Sequence, residues 1–128
     1  MDKPVLPDTD VMIDFLRGNL KAGRVLKRYS ERIILSCIVV AELYAGVKGD
    51  KELAVLDDLV NAFNIVPILP STAKEAGLYC SRFRRSHGIG LSDALIAATC
   101  DAESAQLLTL NVRPFPMFKG LKAPYKKY

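Results

Sequence analysis

A chain of 128 residues, half of them hydrophobic, holds enough apolar material for the core of one domain and is too short for a second. Its 18 Lys and Arg against 14 Asp and Glu leave a net charge of +4, which permits an anionic partner without demanding one. Cys37, Cys80 and Cys100 are odd in number and lack any CxxC spacing, which argues against a disulfide framework or thiolate zinc site and for a reducing compartment such as the cytoplasm. No signal-peptide pattern follows Asp2 and Lys3, and no apolar run reaches the length of a membrane span.

The first apolar run, around Val5 and Leu6, predicts a short strand. A helix through Val11, Ile13, Phe15 and Leu16 follows, with Gly18 to end it and Asp14 on its solvent side. A second helix is expected over about 23–29, then a strand over 32–38, β-branched and apolar enough to be buried on both faces. From Val40 the spacing becomes helical: Val40, Leu43, Tyr44 and Val47 mark one core face. Gly46 and Gly49 loosen the chain before a further helix through Leu53, Leu56, Val60 and Phe63. The run 65–69 predicts a strand whose Pro67 suits an edge. Ser71 or Thr72 can cap a helix to about Ser86. Past His87 to Gly90, Ser92 can cap a nearly all-apolar helix through Asp93 and Ala98, expected to be central. A strand over 106–110 precedes a Pro-rich basic segment. Strands alternating with helices are the pattern of an α/β domain with a mainly parallel sheet.

The chemistry available is narrow. His87 is the sole histidine, so a two-histidine acid–base pair or a histidine-rich zinc site within one chain is excluded. Walker A and GxGxxG sequences are absent, and Gly88-Ile-Gly90 reads as a hinge or turn. Carboxylates remain. Asp8 follows the first strand, at the carboxyl edge where open α/β sheets bind ligands; turn and cap roles are open to it and to Asp10. Asp93 stands in the first turn of the apolar helix, either as a residue favoured there or as a buried acid in need of a partner. Glu42, on the face opposite Val40 and Leu43, is a solvated glutamate or a third acid near Asp8. If the three converge, they repel one another unless a divalent cation intervenes, and all-oxygen ligands suit Mg²⁺ or Mn²⁺.

The segments DTDVMID (8–14), SCIVVAELYAG (36–46), SDALIAA (92–98) and LLTLN (107–111), in that order and spacing, resemble PIN-domain proteins. Within that family they are similar to the VapC ribonuclease toxins of VapBC toxin–antitoxin pairs. The resemblance covers nearly the whole chain and implies a single PIN-like domain over 1–128, an α/β/α sandwich with a mainly parallel sheet. It implies that Asp8, Glu42 and Asp93 hold one or two Mg²⁺ or Mn²⁺ ions and position water for attack on an RNA phosphodiester, leaving a 5'-phosphate and a 3'-hydroxyl. It further implies a homodimer and a cognate VapB-like antitoxin inserted into the acidic groove.

The chain departs from the family's pattern at several positions. Asn111 stands where many members carry a fourth acid, with Pro114 nearby; Asn can ligate or orient water but brings no charge. Asp10 replaces a more usual Asn, and Pro7 cannot donate to a sheet ladder. Ser36 and Thr109 match hydroxyl positions near the site, with core or cap roles equally open. Basic groups at Arg17, Lys21, Arg24 and Arg28, at Arg82, Arg84 and Arg85, and at Lys119, Lys122, Lys126 and Lys127 among Phe118, Tyr125 and Tyr128 are solvated surface, an RNA-backbone surface or a seat for an acidic antitoxin segment. Gly18 and Gly23 are expected to break the first stripe. Two other readings stay open. One is a catalytically silent PIN fold that binds RNA or antitoxin, suggested by Asn111. The other is a haloacid dehalogenase-like phosphatase, suggested by Asp8-Thr-Asp10 but opposed by Met12 and by the lack of a later GDxxxD element.

Overall fold

In a computed structural model that describes residues 2–127, four short strands and six helices alternate. In order they are β1 (Val5–Pro7), α1 (Thr9–Leu16), α2 (Leu20–Arg28), β2 (Ile34–Ser36), α3 (Cys37–Ala45), α4 (Gly49–Ala62), β3 (Asn64–Val66), α5 (Pro70–His87), α6 (Leu91–Glu103) and β4 (Gln106–Leu108). All pairings are parallel. β1 lies beside β4, with Leu6 opposite Leu107, and β2 beside β3, with Leu35 opposite Ile65. A Val5–Ile33 bridge and the Val5 N–H donated to the Arg32 carbonyl (2.8 Å) join the pairs into the order β3-β2-β1-β4. β1 and β2 are buried along their length, whereas the outer strands each expose their first residue. The chain has the α/β architecture expected, with parallel crossovers through helices.

The strands are shorter than their apolar runs because side chains and prolines end them early. β2 stops at Ser36, not 38, since the Ser36 hydroxyl accepts the Ile38 N–H (3.1 Å) and starts α3 at Cys37. Consequently Val39 and Leu43 form the buried face of α3, with Val40, Tyr44 and Val47 packed partly against it. β3 covers 64–66 instead of 65–69, and Pro67 follows it on the edge. β4 ends at Leu108, two residues short of expectation. At the end of β1, where Pro7 lacks a donor, the Asp8 N–H makes the next rung to the Leu108 carbonyl (2.7 Å).

Several helix starts also differ from expectation. α2 begins at Leu20, capped by Asn19 through Ala22 N–H (3.0 Å), and Gly23 sits inside it rather than breaking it. The interruption of the basic stripe lies at Gly18, whose φ of +81° ends α1. α5 starts with Pro70 at its first position after Leu69, so neither Ser71 nor Thr72 is its cap. Gly90, not Ser92, precedes α6, which starts at Leu91, ahead of Asp93, and runs on to Glu103. As expected, α6 is central: Ala94, Ile96, Ala97, Ala98, Thr99 and Cys100 are all buried. It packs along α5 through Ala76, Cys80, Ile89, Ala94 and Ala98, and its other side joins the main core of β1, β2, α1 and α3. No helix among the described residues is long and apolar enough to cross a membrane.

Candidate active site

The carboxyl ends of β1 and β4 lie side by side, which brings Asp8 and Thr109 together although 101 residues separate them. Asp8 caps α1: its Oδ1 accepts the Thr9 N–H (2.7 Å) and its Oδ2 accepts the Thr109 hydroxyl (2.8 Å). Only 8 % of it is exposed. Burial first, and the neighbouring Asp10 charge second, push its carboxyl up from 3.8 to about 7, against the pull of the Thr109 and Thr9 donors. Asp10 turns toward the segment after β4, where the Leu110 N–H reaches its Oδ2 (3.0 Å), while the Val11 N–H reaches Oδ1 (2.7 Å). Burial raises its pKa too, and those backbone donors restrain the rise.

Asp93 is the third residue of α6, half-buried in the first turn. Its pKa is raised chiefly by burial, then by the charges of Glu42 and Asp10, with a bond from the Gly90 backbone opposing. Glu42, on α3, accepts the Thr9 hydroxyl at 2.7 Å. Acids from α1, α3 and α6 and from the β1 end thus share one electrostatic neighbourhood. Thr9 was not singled out from the sequence; as the residue after an expected strand-end acid, with a hydroxyl one helical step from it, it carried a weak signal. Thr109 is fully buried and spans the site: its hydroxyl donates to Asp8 and accepts the Asn111 N–H (3.2 Å).

Other expected residues fall elsewhere. Ser36 is buried and its hydroxyl serves the start of α3, so its role here is that of a cap. Asn111 is exposed just beyond Thr109, held by its backbone. Arg17 is exposed at the end of α1 and lines, with Glu42, a cleft of about 520 Å³ floored by Ile13, Leu16, Leu43 and Leu56. Arg82 and Arg85 are exposed on α5, Arg82 lying over the Phe83 ring at 5.7 Å; among the described residues neither bonds to the acid cluster. Asp14 corrects an expectation: it is 3 % exposed, not solvent-facing, because Tyr125 and Lys127 close over it. Tyr128 lies outside the described residues.

The donor set is all hard oxygen, which suits Mg²⁺ or Mn²⁺ and not a thiolate- or imidazole-seeking metal. As the side chains stand, no three acids among the described residues converge tightly enough to enclose an ion. Mg²⁺ does not require that, since it keeps several waters and commonly takes only one or two carboxylates, with substrate phosphate completing the shell. Burial and, after it, the Asp10 charge disfavour ionised Asp8, and a divalent cation would offset both. In its chemistry, then, the residue set fits such an ion.

The PIN domain family matches residues 5–119. Ribonuclease VapC10 of Mycobacterium tuberculosis is 41% identical over 124 residues, covering 94% of this chain and 92% of that protein. Ribonuclease VapC19 of the same organism is also 41% identical over 124 residues, covering 94% of this chain and 98% of its own. In three dimensions, a toxin-antitoxin complex from Klebsiella pneumoniae contains a chain similar with a TM-score of 0.80 at 26% identity, covering 95% of this chain and 98% of that one.

Proposed function

The chain belongs to the PIN-domain family, and from that premise we propose that it is an endoribonuclease of the VapC toxin type, dependent on Mg²⁺ or Mn²⁺ and neutralised by a cognate antitoxin. The observation that carries the reading is the shared field of Asp8, Asp10, Glu42 and Asp93 at the carboxyl edge of a parallel sheet. Asp8, Glu42 and Asp93 would hold one or two ions. Such an ion, when bound, lowers the pKa of water and stabilises charge on the phosphate.

The chain's own groups do the rest. Thr109 and the Thr9 N–H fix both oxygens of Asp8, so its carboxylate meets an ion in one orientation. Thr9 holds Glu42 in the same way through its hydroxyl. Asp10, tied to Leu110, adds charge without needing to be a ligand. Asn111, exposed just beyond Thr109, would orient water or substrate as a neutral group. Arg17 faces the same cleft and can take an RNA phosphate; Arg82 and Arg85, on α5, would meet RNA further from the acids. The relative from Klebsiella pneumoniae was solved as a toxin-antitoxin complex. By analogy this chain pairs with a VapB-like antitoxin at the cleft beside Glu42 and forms a homodimer.

The test is incubation of the purified protein with several structured RNAs in Mg²⁺, in Mn²⁺ and in chelator, beside an Asp93→Asn variant. Cleavage that needs metal and is lost in the variant supports the nuclease. Cleavage that persists in chelator, or equal activity in the variant, sinks the mechanism. RNA binding without cleavage in any metal identifies the silent module that the uncharged Asn111 would favour.

A further inference from the structure

We propose that the segment after β4 is a clasp that positions α1, with Asp14 and Tyr125 as positioning residues for the acid cluster. α1 has only eight residues, too few to be stable unaided. Its first turn carries Thr9 and Asp10, and its last turn carries Asp14. Asp10 and Asp14 are four residues apart and so share a face.

Both ends of that face are held by the same downstream segment. At the first turn the Leu110 N–H bonds Asp10 and the Thr109 hydroxyl bonds Asp8. At the last turn the Tyr125 hydroxyl donates to Asp14 Oδ2 (2.7 Å), and Lys127 Nζ lies 3.3 Å from Asp14 Oδ1. Between these grips the segment is pinned by Phe115, 2 % exposed, and by Phe118 stacked on it with ring centroids 6.2 Å apart. From α2, Lys21 Nζ donates to the Lys126 carbonyl (2.7 Å).

A carboxylate as enclosed as Asp14 is costly unless donors satisfy it, and among the described residues its side-chain donors come from the clasp. The Asp14 side chain bonds to Tyr125 and Lys127 and, among the described residues, to none of Asp8, Glu42 and Asp93, so a direct part in the chemistry does not explain it. Tyr125 lies near both held acids: besides burial and its bond to Asp14, the charges of Asp14 and then Asp10 push its phenol upward. Release of Asp14 would let α1 rotate. Such rotation shifts Asp10 away from Leu110 and Thr9 away from Glu42, and so spreads the ligand set.

The metal arm of the test rests on the nuclease reading above; the amide arm does not. Parent, Tyr125→Phe, Asp14→Ala and Asp14→Asn are compared, the last keeping an acceptor for the Tyr125 hydroxyl. In metal-free protein, hydrogen exchange is read at the Leu110 and Val11 amides, which donate to Asp10, and at the amides of α6. Tyr125→Phe and Asp14→Ala should speed exchange at Leu110 and Val11 about tenfold while α6 is unchanged. They should also weaken Mn²⁺ binding about tenfold, at the low end for a group supporting a ligand; Asp14→Asn should stay near the parent. Uniform acceleration across all amides, or no change at Leu110 and Val11, overturns the clasp. Failure of the parent itself to bind Mn²⁺ overturns the nuclease reading, and the Leu110 and Val11 amides then decide the clasp alone.

Discussion

Replacing Asp8 by Asn should make the metal-free protein more stable at pH 8 while removing its response to Mg²⁺. In the fold the Asp8 carboxyl is raised from 3.8 to about 7, principally by burial and then by Asp10. A folded pKa above the unfolded one means that unfolding releases a proton between these values. The contribution to stability is therefore fully present below about pH 4 and lost as pH rises through about 7. At about 1.4 kcal/mol per unit, three units correspond to up to about 4 kcal/mol held against the ionised form at pH 8. Asn retains the Thr9 N–H on its Oδ1, and its amide can donate to the Thr109 oxygen, whose proton can then turn toward Asp10 at 3.4 Å. With that weaker bond discounted, a gain of roughly 2–4 kcal/mol is expected at pH 8, shrinking steadily toward pH 4.

Urea unfolding of parent and variant in chelator at pH 8, 6 and 4.5 measures the gap directly. The same titrations in millimolar Mg²⁺ should stabilise the parent alone, because an ion that binds only the folded state adds stability by mass action. A variant no more stable than the parent at pH 8 would refute the reasoning, as would a gap that does not change with pH.

Thr109→Val, isosteric but without the buried hydroxyl that holds Asp8, should lower Mg²⁺ affinity about tenfold and leave the fold intact, read by calorimetry and circular dichroism. Asn111→Asp restores a charge at the rim of the site; Mn²⁺ should bind more tightly, and the metal-free protein should lose a little stability at neutral pH through added repulsion. Equal Mn²⁺ affinity in the two proteins would place position 111 outside the ion's reach. Ser36→Ala removes the cap of α3 and should cost about 1 kcal/mol in urea unfolding. Its RNA cleavage, measured alongside, should match the parent's; a large loss there would return Ser36 to the site.

The alternation of β-branched runs with helical spacing was enough to read an α/β fold from the chain, and α6 is central for the reason its sequence suggests: its middle, from Ala94 to Ala98, is apolar all round. Asp8 and Asp93 were also legible, one after a strand and the other in the first turn of an apolar helix, because their local setting makes a carboxylate conspicuous. The ends of elements were less legible. A hydroxyl such as that of Ser36 competes with the ladder for the next backbone N–H, and periodicity does not register that contest.

What only the tertiary structure decided are the partners distant in sequence. Local pattern put Asp14 on the wet side of α1; a tyrosine 111 residues away made it buried. The same holds for Thr9, whose importance comes from Glu42 on another helix, and for Thr109, set against Asp8 by the pairing of β1 with β4. Residue type and spacing report short-range preferences such as period, cap and charge. Desolvation and hydrogen bonding depend on whichever groups the completed fold brings within a few ångströms, and in this chain those came from segments between 33 and 111 residues apart.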